Sequence, residues 1–170
     1  ARLDKLIIKL FLEEEDLHVY VLIDASTSME FGEPTKLQYA KQLAAALGYI
    51  GLTRADRVKI ESLGTSHRNP GPVLRGRASV WRMIEHLNSI QPGENIPLAE
   101  GIKNFCIRNQ SKGILILITD LMDKSGYEKA LKLLVAQQMD FYLLHVLSPE
   151  ELNPEIKGDL RLVDKTGAEM

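Results

Sequence analysis

The sequence predicts an α/β fold in which helices cover both faces of a mostly parallel sheet. Short apolar runs without polar alternation occur at 19–23 and 114–118, and such runs are typical of strands buried on both faces. Between the strand-like segments, apolar residues recur every three or four positions, which indicates helices with one buried face. Strands that alternate with helices in this way favour a parallel-dominated sheet between two helical layers.

The first third of the chain contributes two strands, a helix and a third strand. The acidic cluster 13–16 separates a strand at 6–12 from one at 18–23, and we expect a hairpin that makes 6–12 an antiparallel edge strand. Pro34 is expected to begin a helix at about residue 35. The predicted buried face of this helix consists of Leu37, Ala40, Leu43, Ala44, Leu47 and Ile50. The next strand is predicted at 56–63, and its alternation indicates one wetter face.

The rest of the chain continues the alternation. The Gly- and Pro-rich segment 64–77 predicts a loop with a short strand at Val73 and Leu74. Trp81 and Cys106 fall on apolar helix faces, and we expect both to pack in the core. The further helices are predicted around 80–90, 98–106 and 127–135, and the further strands at 114–118, 141–147 and, as an alternating edge strand, 159–164.

Length and composition predict one ordinary globular domain. The 170 residues are 45% hydrophobic and 26% charged, with a formal net charge of -2, which gives no attraction to nucleic acid or anionic membranes. No run approaches the ~20 apolar residues of a membrane span. A single cysteine excludes an internal disulfide and fits a cytoplasmic location. The chain begins at Ala1 without Met, so we expect a single domain over 1–170, excised from a longer protein.

Oxygen donors follow two of the predicted strands. Asp24, Ser26 and Ser28 form a D-x-S-x-S run directly behind the strand at 19–23, and Asp120 follows the strand at 114–118. Hard divalent cations prefer oxygen ligands. Ligands of open α/β sheets bind beyond the carboxyl ends of the strands. If these two strands are neighbours, the two carboxylates face one crevice.

Plainer interpretations of the same residues stay open. Ser, Thr and Asp are favoured at helix caps and turns, so the D-x-S-x-S run could simply begin a helix or turn. Asp123 fits a solvated or helix-capping carboxylate better than a ligand. His145 fits a hydrogen-bonded core residue, and the four histidines lack the spacing of a zinc site.

The segment from Asp24 to Met29 closely resembles the metal-ion-dependent adhesion site motif of von Willebrand factor A domains. Over its whole length the chain is similar to a bacterial family, catalogued as a domain of unknown function, that has a von Willebrand factor A-like core. The stretches that carry this resemblance are 9–11, 14–16, 24–29, 36–40, 56–58, 70–76, 118–120, 147–152 and 158–164. The resemblance implies a three-layer, Rossmann-like fold and an association with MoxR-type AAA+ ATPases.

The resemblance also implies a ligand set, from which the chain departs at one position. The adhesion site normally takes a Thr from a loop in the middle of the fold. The matching loop, 93–98, has no Thr and offers Ile96 or Asn95 instead. Only the Asn95 side chain can ligate a cation. The implied set is therefore Asp24, Ser26, Ser28, Asp120 and Asn95, and we expect it to bind Mg²⁺ or Mn²⁺ weakly.

These features favour a non-catalytic protein-interaction module that docks its partner through the same five residues. A locally basic loop containing Arg68 and Arg75 offers a second docking surface, for an acidic partner. The alternative is a magnesium-dependent phosphatase with Asp24 as nucleophile. That mechanism needs a second Asp two residues on, where the chain has Ser26. The chain also lacks a G-x-S-x-G elbow and a P-loop.

Overall fold

A computed structural model describes residues 17–64, 70–93 and 96–154. Its centre is a five-stranded sheet in the order β3-β2-β1-β4-β5. β1 pairs in parallel with β2 and β4, β5 pairs in parallel with β4, and β3 pairs antiparallel to β2. The strands are β1 (His18–Asp24), β2 (Arg57–Leu63), β3 (Val73–Arg75), β4 (Gly113–Thr119) and β5 (Asp140–His145). The predicted α/β architecture is confirmed.

Helices cover both faces of this sheet. They are α1 (Lys36–Thr53), α2 (Val80–Ser89), α3 (Leu98–Arg108), α4 (Glu128–Val135) and the short α5 (Pro149–Leu152). Alternate residues of β1 divide between the two layers. Val21 and Ile23 pack in one hydrophobic cluster with α1 and α2, whereas Tyr20 and Leu22 pack in the other with α3 and α4. No helix in the described ranges has the length and apolar character needed to cross a bilayer.

The buried face of α1 differs from the predicted one. Ile50, expected in the core, is exposed, while Gly48 and Gly51 are buried. A Cβ at Gly51 would lie 2.6 Å from Cγ2 of Val58, and one at Gly48 would lie 2.5 Å from Sδ of Met83. The helix therefore approaches β2 and α2 through its glycines, and the prediction for Ile50 is wrong.

The packing prediction for α2 is also wrong at one position. Trp81 is 77% exposed, while Met83 and Leu87 are buried. Trp81 lies two residues before Met83, which is about 200° around a helix, so it points away from the core. The prediction for Cys106 is confirmed, because this side chain packs against the core cluster under α3, where burial raises the pKa of its thiol.

The predicted hairpin at the start of the chain is not compatible with the sheet. The segment 6–12 lies outside the described residues. β1, its expected partner, pairs with β2 along 18–24 and with β4 along 18–23. Parallel neighbours therefore take both edges of β1 and leave none for an antiparallel strand. The antiparallel pair is instead β2–β3, which confirms the short strand at Val73. The edge strand predicted at 159–164 lies outside the described residues.

Candidate functional site

The candidate site lies at the carboxyl edge of the sheet, where β1 and β4 end side by side. Ile23 is opposite Ile118 in their parallel register. Asp24 ends β1, and Asp120 follows the last residue of β4. The two carboxylates thus leave neighbouring strands at the same edge, as the sequence predicts.

Asp24 is a buried carboxylate with neutral hydrogen-bond donors. Its Oδ2 accepts a hydrogen bond of 2.6 Å from the Thr119 hydroxyl, and its Oδ1 accepts one of 2.9 Å from the Ser26 N–H. Burial raises the pKa of the Asp24 carboxyl, and the negative charge of Asp120 adds to this effect. The hydrogen bonds from Thr119 and Ser26 oppose the rise without cancelling it. A positive charge near Asp24 would therefore stabilise its ionised form.

The two serines of the motif face each other. Their Oγ atoms are 3.0 Å apart and share a hydrogen bond in which either can be the donor. Ser26 immediately precedes a 3-10 turn at Thr27–Glu30, yet its side chain makes no capping bond to that turn. The hydroxyl of Ser26 therefore contacts Ser28 and does not cap the turn, whereas the bond from the Ser26 N–H to Asp24 is the turn contact that the plainer interpretation predicts. Asp24, Ser26 and Ser28 together bring three oxygen-bearing side chains onto one loop.

Asp120 is neutralised by a lysine of this chain. Its Oδ2 lies 2.7 Å from Nζ of Lys36, and its Oδ1 accepts a hydrogen bond of 2.9 Å from the Met122 N–H. Lys36 is the first residue of α1 and is only 2% exposed. Its Nζ also lies 2.5 Å from Oε1 of Glu151. The ammonium of Lys36 therefore bridges a carboxylate of the site and one from α5.

Glu151 is oriented by the cap of its own helix. The Ser148 Oγ accepts a hydrogen bond from the Glu151 N–H, and Oε2 of Glu151 accepts one of 2.8 Å from the Ser148 N–H. This reciprocal pair is a capping box. One carboxylate oxygen thus caps α5, and the other is left to contact Lys36.

Two glycines fix the loop that carries Asp24 and the serines. Gly64, which follows β2, has a φ of +78°, and a Cβ there would lie 3.0 Å from the Ser26 nitrogen. Only glycine suits both that backbone conformation and that close approach. The Gly93 N–H donates a hydrogen bond of 2.9 Å to the Ala25 carbonyl, so the loop after α2 is tied to the D-x-S-x-S loop.

The remaining predicted residues fall in different places. Asn95 and Arg68 lie outside the described residues. Arg75 is exposed on β3 and donates a hydrogen bond to the Ala55 carbonyl. It is paired with Arg57, the first residue of β2. β1 and β2 run in parallel, so Arg75 lies beside the amino end of these strands, whereas Asp24 lies at their carboxyl end. The two residues are about 20 Å apart along the strands.

Asp123 and His145 have structural roles near the site. Oδ2 of Asp123 accepts a hydrogen bond of 2.6 Å from the Leu98 N–H at the start of α3, which confirms the capping interpretation. Burial would raise the pKa of Asp123, but hydrogen bonds from Leu98 and Ser125 outweigh it and the net pKa is lowered. His145 is hydrogen-bonded as predicted, to the Asp120 carbonyl at 3.1 Å. It is exposed, however, because β5 lies at an edge of the described sheet, so its predicted core position is wrong.

Sequence reasoning missed four residues of this site: Lys36, Gly64, Thr119 and Glu151. One signal pointed to Lys36. It lies four residues before Ala40 and one before Leu37, on the edge of the predicted buried face of α1. A lysine in that position must find a partner or reach solvent.

The oxygen atoms at this site suit a hard cation, but the ammonium of Lys36 lies beside one of the carboxylates. Carboxylate and hydroxyl oxygens are the ligands that Mg²⁺ and Mn²⁺ accept. In the described part of the chain, no three His, Cys, Asp or Glu side chains form a metal-binding group. A cation here would therefore depend on the serine hydroxyls and water, and it would meet the ammonium of Lys36 beside Asp120.

Solved structures similar to this chain are von Willebrand factor A domains and related proteins. A von Willebrand factor type A protein from Catenulispora acidiphila has a TM-score of 0.54 and 19% identity, covering 75% of this chain and 32% of that one. The proximal thread matrix protein 1 of the mussel byssus has a TM-score of 0.54 and 16% identity, covering 77% and 38%. Manganese-loaded TRAP protein of Plasmodium vivax has a TM-score of 0.52 and 16% identity, covering 82% and 61%.

At these identities the likeness establishes the fold alone. The chain spans less than two thirds of the length of each of these three proteins. No curated protein matches it. The family described as "Protein of unknown function DUF58" matches residues 1–170. The chain therefore belongs to the DUF58 family and has a von Willebrand factor A-like fold.

Proposed function

We propose that this domain is a non-catalytic protein-interaction module that docks its partner at the carboxyl edge of the sheet. The observation that carries the proposal is Asp24. Its buried carboxylate has a raised pKa and neutral hydrogen-bond donors, beside a pair of facing serine hydroxyls. A nearby cation would stabilise the ionised form of this carboxylate, which burial disfavours.

The cation in this proposal is Mg²⁺ or Mn²⁺, held weakly in a degraded metal-ion-dependent adhesion site. Asp24, Ser26, Ser28 and Asp120 would hold it, with Asn95 in place of the missing Thr. When bound, the cation would offer an open coordination position to an acidic side chain of the partner. The binding is weak because Lys36 already neutralises Asp120 at 2.7 Å, so that two like charges compete for one carboxylate.

The partner in this proposal is a MoxR-type AAA+ ATPase, and the complex forms in the cytoplasm. The support is the similarity of the chain to a family whose members often accompany such ATPases. The von Willebrand factor A-like fold, with its loops held on a rigid sheet, suits protein recognition at this edge.

The proposal is tested by measuring the affinity of the domain for a MoxR-type AAA+ ATPase in the presence of Mg²⁺ and of a chelator. We expect at least a tenfold loss of affinity in the chelator, because the cation links the partner acid to the site. The ATPase needs Mg²⁺ of its own for nucleotide, so the same comparison is made with an Asp24→Asn domain as control. An equal chelator effect in that variant, or none in wild type, would contradict a cation in this site.

We further expect cation affinity to depend on pH through Asp24. Its pKa lies above the ordinary value, and only the ionised carboxylate binds a cation. As pH falls through that raised pKa, protons displace the cation, and affinity should drop about tenfold per pH unit below it. Calorimetric titration with Mn²⁺ measures this. Affinity that stays constant until the range of an ordinary aspartate would contradict the role of Asp24.

The phosphatase alternative gains no support from the described geometry. That mechanism needs a second Asp two residues after the nucleophile as acid and base, and the chain has Ser26 there, whose hydroxyl contacts Ser28. We therefore propose no second function.

A further inference from the structure

We propose that Lys36 is the resident cation of this site and that Glu151 occupies, within the same chain, the position where a partner carboxylate is received. This inference rests on the proposed function. The ion pair between Lys36 and Glu151 would block the docking edge until a partner carboxylate replaces Glu151. The partner that this metal-free arrangement fits is one that presents an acidic side chain able to replace Glu151 at Lys36, whereas the Mg²⁺ or Mn²⁺ of the proposed function would compete with Lys36 for Asp120.

Lys36 lies between two carboxylates. Its Nζ lies 2.7 Å from Oδ2 of Asp120 and 2.5 Å from Oε1 of Glu151. A divalent ion bound directly to that oxygen of Asp120 would sit at about 2.0–2.6 Å from it. An ammonium and a divalent ion at the same oxygen repel each other as like charges. Lys36 therefore opposes the binding of a metal to Asp120.

Burial shows that Lys36 is built into the site. Lys36 is 2% exposed, and the side chain of Asp120 is 0% exposed. A charge removed from water to this extent is stable only with close partners. The aromatic ring of Phe31 adds one more favourable contact, with its centroid 5.9 Å from Nζ. The lysine therefore has the ligand sphere of a bound cation, made of two carboxylates and a ring face.

Glu151 is the more exposed of the two carboxylate ligands. Its side chain is 16% exposed, whereas that of Asp120 is fully buried. Its helix, α5, has four residues and none of them is buried, with Leu152 69% exposed. The ion pair from Glu151 to Lys36 is the polar contact that ties α5 to α1. An incoming carboxylate can replace Glu151 at Lys36 at little cost in buried surface, and α5 would then be released.

The first test is calorimetric titration with Mn²⁺ alone, on wild type and on Lys36→Met. Methionine fills a similar volume without charge, so it frees Asp120 for the metal. We expect the variant to bind Mn²⁺ at least tenfold more tightly than wild type, and a Lys36→Arg control to bind like wild type. Equal affinity of Lys36→Met and wild type would overturn the proposal that Lys36 holds the cation position.

The second test does not depend on removing a buried lysine, which could unfold the domain. Glu151→Gln keeps an oxygen for the capping bond to Ser148 and removes the charge that faces Lys36. We expect the amides of Leu152 and Asn153, which close α5, to exchange hydrogen at least tenfold faster than in a control that carries Glu150→Gln, the exposed neighbour. Unchanged exchange would overturn the proposal. Neither test involves the ATPase, so their outcome is independent of whether the proposed docking fails.

Discussion

Replacing Asp120 by Ala should lower the free energy of unfolding by about 3 kcal/mol. The side chain of Asp120 is fully buried against Lys36, which is itself 2% exposed. Removing this carboxylate leaves the ammonium of Lys36 buried with Glu151, whose side chain is 16% exposed, as its remaining carboxylate ligand. It also leaves the Met122 N–H without its acceptor. Urea unfolding followed by circular dichroism measures the loss, with Asp140→Ala, an exposed carboxylate on β5, as control.

A double variant separates the charge from the cavity in this prediction. Lys36→Met with Asp120→Ala removes both charges, so it should be more stable than Asp120→Ala alone. Two results would contradict an energetic role for the buried ion pair. One is a loss of less than about 1 kcal/mol in the free energy of unfolding of Asp120→Ala. The other is a loss in the double variant equal to the sum of the losses in Asp120→Ala and Lys36→Met.

Replacing both Ser26 and Ser28 by Ala should abolish measurable binding of the proposed ATPase partner, a loss of at least thirtyfold, while the domain remains folded. The two hydroxyls contact each other at 3.0 Å and are half-buried in a loop. Their removal takes two oxygen ligands from the proposed cation and leaves the two core clusters intact. The affinity is measured by calorimetry in Mg²⁺, after circular dichroism has established that the variant is folded.

The matched control for this loss is Ser79→Ala with Ser89→Ala. These serines lie at the start and end of α2 and donate hydrogen bonds to the carbonyls of Arg75 and His86. The control also removes two hydroxyls, but far from the D-x-S-x-S loop in sequence. Equal affinities of the two double variants would place the contact with the partner elsewhere.

The fold could be predicted because apolar periodicity reports burial. The uninterrupted runs at 19–23 and 114–118 became the adjacent central strands β1 and β4. Errors arose where packing outweighs periodicity. Gly48 and Gly51 let α1 approach its neighbours more closely than a leucine face would, so Ile50 was left outside. Likewise the edges of β1 were taken by parallel partners that are distant in sequence, which a local hairpin signal cannot anticipate.

The residues of the site that directly follow the two central strands could be predicted from the sequence. Asp24, Ser26 and Ser28 lie on one loop, and Asp120 follows the neighbouring strand, because strand ends fix these positions. Lys36 and Glu151 were not predicted, since 115 residues separate them and only the folded chain brings them together. A lysine at the start of an amphipathic helix ordinarily extends into water, so its burial could not be inferred from spacing alone.

Docking at this site is tested most directly by amide hydrogen exchange of the domain, alone and saturated with the proposed ATPase partner in Mg²⁺. We expect slower exchange at Ser26, Met29 and Met122, the amides that line the carboxyl edge near Asp24 and Asp120. We expect no change in β3, at the other end of the strands. Slower exchange confined to β3, which includes Arg75, with none at the carboxyl edge, would contradict docking at this site.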